Sequence, residues 1–570
     1  MSEQARSWRL PTLLLTLLCG ALLAYFPEEG RPLWQLLRWD DQTAFPVFLA
    51  LTLTLFLPIG QNRTLEPCLV WIGGHPKTVS ILSFFVLALL APWVYQGRPL
   101  STDEYLLWFQ AHTFAQGHLY AVYPPDWLDH LLISPHLFIT DWQGGKLLSP
   151  YWPGFSLLLA PFAALGVPWL CNPLIVGLSL YVLAHITREF FDQPASQGLV
   201  LLLALASSSF FLNGVTFYAT PAHLLLNAIY TWLLLRPNPL RLALAGGVGS
   251  FALVLHNPLP HLLFAIPWII WIAISPEGWR RLLPLGAGYL PLSLVLGVGW
   301  AILRLSGECF LACAVSGGSA TGLTPSTAAP AVAAFGASAF VLPGADILLW
   351  RSAGAVKLWL SSVPGLVILA SLAPFRNLDR RLLVLACSAL STFAGYFFIP
   401  FDQGFGWGYR YFHSAWFVLP LLATAAIGPG QKTSFTEEQG RLTRVAVLSM
   451  LVLLPFKAFI MLCYTRDHWS QLPPHHGAKN EILFKNSIGE WGYFLVQNPP
   501  DLSGSPTVFI SRGRRLDAEF IDKYFPAAMP TGSNAYGTTY TVPAAQLPAG
   551  RLQELLENRR TAQSSPKDKD

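Results

Sequence analysis

The chain has 570 residues, of which 53% are hydrophobic and only 12% charged, with 21 tryptophans and a mean hydropathy of +0.45. That composition excludes both an ordinary soluble globular protein and a disordered one. The formal charge of +5, from 36 basic and 31 acidic side chains, is spread over short loops and not gathered in a patch, which excludes nucleic acid as a partner.

Apolar runs of roughly 17–25 residues, each long enough to cross about 30 Å of hydrocarbon, recur along the chain, so an all-α polytopic membrane protein is predicted. The first run, Leu10–Phe26, follows Arg6 and Arg9 and is expected to cross outward; a cleaved signal peptide is the rival reading and leaves the later topology unchanged. Runs near 45–58 and 79–95 follow, separated by Arg63 and Lys77, which places the loop 96–153 outside. The next stretch, 154–167, is short and bounded by prolines. Were it a crossing, Arg188, Arg236, Arg241, Arg280, Arg281, Arg376, Arg380 and Arg381 would all fall outside, against the positive-inside rule. It is therefore read as an interfacial helix, with the inward crossing at 170–190. Later crossings are expected near 198–213, 218–235, 242–255, 260–274, 282–303, 353–373, 382–400, 410–428 and 443–463, for about 13 transmembrane helices and an external C-terminus.

Beyond Cys463 the apolar periodicity stops. "PTVFISRG" reads as a strand, "LDAEFIDKYF" as an amphipathic helix and "AYGTTYTV" as a strand, which predicts a small C-terminal α+β extracytoplasmic extension. The expected division is two additional N-terminal transmembrane helices in 1–77, a membrane domain in 78–463 with external loops 96–153 and 304–352, the extension in 464–558, and a disordered tail in 559–570. Cys309 and Cys313 are the one close cysteine pair; spacing alone leaves a disulfide open there, while the cysteines inside apolar runs read as small buried hydrophobes.

Charged residues in the crossings are read as almost absent, so the acidic pair Asp103–Glu104 in "STDEYLLWFQAH" stands out. Ser101 and Glu104 fit a capping box, which accounts for Glu104 as structure. Asp103 has only the helix dipole as a structural reason. Around it the outer loops collect His112, His118, Lys146, Tyr151 and Trp152, then Tyr218 and His223, His256 and His261 in "HNPLPH", and Trp407, Tyr409, Arg410 and His413 in "FDQGFGWGYRYFHSAW". A polar, aromatic cavity at the outer leaflet is predicted, suited to a lipid-borne substrate. Arg410 suits a phosphate or, equally, a snorkelling interfacial position. The histidines fit hydrogen-bonded interfacial positions better than ligand positions, and none of their spacings suits zinc, so no metal site is predicted.

The run "STDEYLLWFQAHTFAQGHLY", the Pro-Gly segment "YWPGFSLLLAPFAALGVP", the helix ends "LIVGLS" and "ITREFF", "LLATAAIG" after "GWGYRYF", and a late "TVFIS" strand together resemble the glycosyltransferase C superfamily. The resemblance covers roughly residues 78 to 540, and is greatest to the bacterial branch similar to protein O-mannosyltransferases and lipid A aminoarabinose transferases. It departs in having three expected crossings before the acidic loop in place of one, and "YWPGF" where the branch has "PPL". The resemblance implies an integral membrane glycosyltransferase that moves a sugar from a polyprenyl-phosphate donor to a lipid, glycan or protein acceptor outside the cytoplasmic membrane, with inversion. Asp103 matches the catalytic acid of the family and Glu104 its partner. Arg410, then Lys146 and Lys357, are the candidates for the donor phosphate, and Tyr151, Trp152, His256, His261, Trp407, Tyr409 and His413 for the substrate cavity. No cofactor is firmly implied, a divalent metal is left open, and a monomer is expected. The alternatives are a lipid-linked glycan transporter or flippase, an O-antigen ligase or polymerase, and a non-enzymatic scaffold.

Overall fold

Proline, serine and glycine decide where the apolar runs of this chain stop being helical. The computed structural model describes residues 8–28, 30–57, 65–131, 138–305, 341–427, 436–486 and 492–564, so Cys309, Cys313 and most of the expected 304–352 loop lie outside the described residues. Two compact units emerge: one of residues 1–98, 169–297 and 337–463, the other of 99–168, 298–336 and 464–570.

The first unit is helical. Across the described residues, Pro76–Val94, Pro168–Thr187, Gly278–Arg304, Arg380–Phe398 and Glu437–Ser470 are long and apolar enough to span a bilayer, which makes this a multi-pass membrane protein. Length and composition thus mark fewer spans than the thirteen expected, because several runs are broken. The run 198–213 is two helices, Pro194–Ala206 and Ser208–Val215, bent by 72° where Ser207 turns extended and its hydroxyl bonds back to the Leu203 carbonyl. The run 353–373 is likewise split into Ala345–Leu360 and Leu366–Ser371 by Gly365 at φ +91°. The run 410–428 divides into Arg410–His413 and Val418–Ile427. Helices Pro239–Leu253 and Gly278–Leu292 cross where a Cβ on Gly246 would lie 2.0 Å from the Leu285 carbonyl oxygen and one on Gly288 2.0 Å from that of Ala243, a small-residue crossing open only to glycine.

The second unit begins with the helix Thr102–Ala115 and a small antiparallel sheet of β1 (Ala121–Val122), β2 (Ile139–Asp141) and β3 (Lys146–Leu148), in the order β1-β3-β2. The helix Gly154–Ala164 has 11 residues. At 1.5 Å per residue that is about 16 Å, half a hydrocarbon layer. A second sheet is built from β4 (Glu481–Lys485), β5 (Thr507–Ile510), β6 (Met529–Asn534) and β7 (Gly537–Thr541), in the order β5-β4-β7-β6, with β4 and β5 parallel and the other pairs antiparallel. The segments read as strand, helix and strand are β5, the helix Arg514–Tyr524 and β7. The central strand β4 and the edge strand β6, "MPTGSN", have no counterpart in the sequence reading; a proline and a glycine hide β6 from any propensity argument. The helix Pro548–Ser564 runs into the stretch read as a disordered tail.

One core binds this unit together. Leu106 and Phe109 of the first helix, Trp127, and Phe484, Phe509 and Phe520 from the C-terminal segment are all buried in the same cluster. The sequence reading divided the chain at 463/464, whereas the compact units interleave, and the acidic loop folds with the C-terminal sheet.

Candidate active site

The acidic pair sits in the first turn of Thr102–Ala115. Ser101 is extended at φ −116°, and its Oγ accepts from the Glu104 amide at 3.4 Å. The Glu104 Oε2 accepts in turn from the amides of Ser101 (3.0 Å) and Leu100 (3.1 Å) and from the Ser101 hydroxyl (3.1 Å). Glu104 is fully buried, and its Oε2 closes the helix through this capping box. Asp103, half-buried one position earlier, accepts a 2.6 Å hydrogen bond on Oδ1 from the Tyr151 hydroxyl. That length is typical of a hydroxyl donating to a charged carboxylate.

Tyr151 is itself anchored. Its carbonyl accepts from the Trp300 indole at 3.0 Å, and its amide donates to the Ser149 hydroxyl at 3.3 Å. Trp152, Phe114, Tyr120 and Trp300 pack around Ile139 and Leu148 beside it. Two cations stand on these rings: Lys146 Nζ is 5.2 Å from the Tyr120 centroid, and the Arg304 guanidinium 5.8 Å from that of Trp152. Arg304 was missed from sequence because it ends an apolar run, where a lone arginine reads as a topology signal. Burial pushes the His112 imidazole below its ordinary range, and its Nδ1 lies 2.9 Å from the Trp108 carbonyl oxygen.

The other candidates belong to the helical unit. Gly408, at φ +78°, lets the run "FDQGFGWGYR" fold back on itself, and a Cβ there would meet Ser209 at 2.8 Å. Arg410 is fixed inside this loop: Nη1 donates to the carbonyls of Gln403 (2.8 Å) and Phe405 (2.6 Å), and the guanidinium lies 4.0 Å from the Tyr218 ring centroid. Trp407 donates to the Tyr95 hydroxyl at 3.3 Å, and Tyr409 packs against Phe393; both are buried. His261 is buried between Asn227 Oδ1 (2.8 Å) and the Tyr289 hydroxyl (2.7 Å), so both ring nitrogens are engaged by the protein. His256 approaches His223 ring to ring at 6.2 Å, and His413 is buried.

Lys357 lies elsewhere and does something else. Its ammonium is fully buried 2.5 Å from Asp41 Oδ2, and Lys457 completes the cluster at 2.9 Å from Asp40 Oδ1 and 3.4 Å from Asp41 Oδ1. Both lysines are therefore neutralised within the protein, and Lys357 is withdrawn from the phosphate candidates. The same cluster corrects the reading that the crossings hold almost no charge. Arg351 adds to that correction: it is buried, with Nε on the Tyr396 carbonyl and Nη2 on those of Ile399 and Phe401, each at 2.7 Å. Among the described residues no group of three or more His, Cys, Asp or Glu could hold a metal ion.

No family model and no curated protein sequence matches the chain. Solved structures do. The crystal structure of ArnT from Cupriavidus metallidurans bound to undecaprenyl phosphate covers 82% of this chain and 98% of its own, at 12% identity and a TM-score of 0.50. The apo form of the same protein aligns over 82% and 99% at 11% identity and a TM-score of 0.49. In its fold, this chain is similar to ArnT.

Proposed function

We propose that the protein is an integral membrane glycosyltransferase that moves a sugar from a polyprenyl-phosphate donor to an acceptor on the extracytoplasmic side of the cytoplasmic membrane, with Asp103 as general base. One observation carries this reading: of two adjacent carboxylates, Glu104 is buried with its Oε2 engaged in the helix cap, while Asp103 is half-buried and accepts a short bond from Tyr151. An acceptor hydroxyl is a poor nucleophile near neutral pH, and a carboxylate within hydrogen-bond reach takes its proton as the oxygen closes on the anomeric carbon. The anomeric C–O bond breaks on the far side, its electron pair leaves with the polyprenyl phosphate, and the configuration inverts. Charge gathers on that phosphate. Lys146 and Arg304, in the same unit as Asp103, are the cations proposed to receive it, and Trp152 the ring proposed to line the approach. Glu104 acts as a positioning residue that keeps the first turn intact. ArnT with undecaprenyl phosphate bound supports a lipid-linked donor in this fold.

The test is transfer by the purified protein from undecaprenyl-phosphate-linked sugars. The wild type should turn over and Asp103→Asn should not. Tyr151→Phe should lower kcat, since it removes a charge-assisted bond of about 1.5–3 kcal/mol. Full activity in Asp103→Asn would overturn the assignment.

A further inference from the structure

The segment that brings Tyr151 to Asp103 leaves the small sheet of the second unit where one glutamine stands between two strands. β1 and β3 pair antiparallel, with Ala121 opposite Leu147 and Val122 opposite Lys146. Continued outward, that register sets Leu119 opposite Ser149. The ladder stops short of that pair, and the carboxamide of Gln110 fills the gap: the Ser149 amide donates to Oε1 at 3.0 Å, and Nε2 donates to the Leu119 carbonyl at 2.9 Å. One side chain thus supplies the acceptor and the donor that two strand residues would otherwise have exchanged with each other. Gln110 and Ser149 are each only 1% exposed, so water cannot stand in for these bonds.

Gln110 belongs to the helix Thr102–Ala115, and Asp103 lies seven positions before it on the same helix. Seven residues turn through about 700°, roughly 20° short of two full turns, and rise about 10 Å, so both side chains leave the helix on one face. Ser149 and Tyr151 are two residues apart, a step of about 7 Å in an extended chain, and the phenol covers the rest. The segment 149–151 is therefore held on that face at both ends, at Ser149 by Gln110 and at Tyr151 by the 2.6 Å bond from its hydroxyl to Asp103 Oδ1. Between these two anchors the Tyr151 amide donates to the Ser149 hydroxyl at 3.3 Å, and the Tyr151 carbonyl accepts from the Trp300 indole. Where Ser149 stands thus decides where the phenol arrives.

For the sheet alone the glutamine is dispensable. Without it the Ser149 amide and the Leu119 carbonyl can bond each other, and the strands close by a further pair. Closing them draws Ser149 toward β1 and takes Tyr151 off the face that carries Asp103. We propose that Gln110 is a positioning residue of the transfer reaction: its amide holds the end of β3 apart from β1 and so sets the Tyr151 hydroxyl on Asp103. The inference rests on the transferase reading above, in which Asp103 takes the acceptor's proton, and adds that the aim of this carboxylate is fixed two turns along its own helix.

The experiment is a double-mutant cycle in kcat, on the full-length protein in lipid nanodiscs with undecaprenyl-phosphate-linked sugars as donors. Gln110→Ala should lower kcat about tenfold and leave KM for the donor within about twofold. In a Tyr151→Phe background the same change should lower kcat less than about twofold, because the contact it serves is already gone. A glutamine that only stabilised the fold would cost the same in both backgrounds. Ser149→Ala, which removes one hydroxyl and keeps the amide bond to Gln110, should show the same pattern at smaller size, and it carries the cycle by itself if Gln110→Ala does not fold. Equal losses in both backgrounds, a loss confined to KM, or no loss in either would overturn the proposal. Asp103→Asn is measured beside them: an inactive Asp103→Asn without coupling in the cycle removes this inference alone, whereas an active one removes the reading beneath it.

Discussion

Asp40–Asp41 and Asp103–Glu104 are both adjacent acidic pairs carried on helices, yet their surroundings assign them opposite work. Asp40 and Asp41 lie in the π-helical turn Leu37–Gln42, with side chains at most 2% exposed, and meet Lys357 and Lys457 from the helices Ala345–Leu360 and Leu454–Ser470. Successive residues on a helix point about 100° apart, so two neighbours can reach two different partner helices. Two carboxylates and two ammonium groups sum to zero, which is what allows all four to be buried. The pair at 103–104 meets hydrogen bonds: amides and a serine hydroxyl on Glu104, a phenol on Asp103. A carboxylate matched by a buried ammonium is locked; one oriented by a phenol is still able to take a proton. The difference lies in the partners and not in the acids.

The largest expected effect breaks the chemistry and spares the fold. Asp103→Asn should lower kcat by about 10²–10⁴, the usual contribution of a general base, with thermal unfolding in detergent unchanged. The mirror image is expected at the other pair. Lys357→Met leaves Asp41 facing one ammonium in place of two and should cost about 3–5 kcal/mol of stability. Adding Asp41→Leu to it should recover most of that loss, because an apolar pair replaces an ion pair. A double variant no more stable than the single one would show that the cluster does not hold the first unit together through charge matching.

How far these two pairs could be read from sequence follows from the range of their contacts. The Glu104 cap spans three residues, and the S-x-x-E pattern displays it outright. Asp103 and Tyr151 were both singled out, but 48 residues part them, and no periodicity links a helix start to the end of a small sheet. Lys357 and Asp41 are 316 residues apart. Lys357 was therefore offered a phosphate, since a lone lysine in an apolar run advertises charge and not its partner. Asp40 and Asp41 escaped notice because they precede the run assigned at 45–58, although the helix begins at Pro32. The helical breaks at Ser207 and Gly365 were hidden by hydropathy, which counts apolar residues and is blind to a bend. Fold class needs only composition, whereas the interleaved units depend on which distant segments share a core.

A smaller effect sharpens the comparison within the second pair. Glu104→Ala removes an acceptor of three hydrogen bonds and should cost about 0.5–2 kcal/mol, with kcat reduced far less than in Asp103→Asn. If Glu104→Ala instead abolished transfer without loss of stability, the division of labour between the two carboxylates would be wrong.

The smallest effect concerns a lysine held in a different way. Lys485 ends β4, with Nζ on the Asn486 carbonyl at 2.9 Å and 5.1 Å from the Tyr536 ring centroid, whereas the lysines of the buried tetrad meet carboxylates. Burial pushes its pKa down from 10.5 to about 8. Below pH 8 the folded protein carries this ammonium charged in a poorly solvating place. Between pH 8 and 10.5 the unfolded chain holds the proton that the folded one has released, so stability rises with pH across that window and levels off above it. Other groups titrate there as well, so the difference between wild type and Lys485→Met isolates the contribution. Relative to that variant, the wild-type Tm should climb from pH 8 to 10.5, and a flat difference would mean that the carbonyl and the ring solvate this ammonium as well as water does.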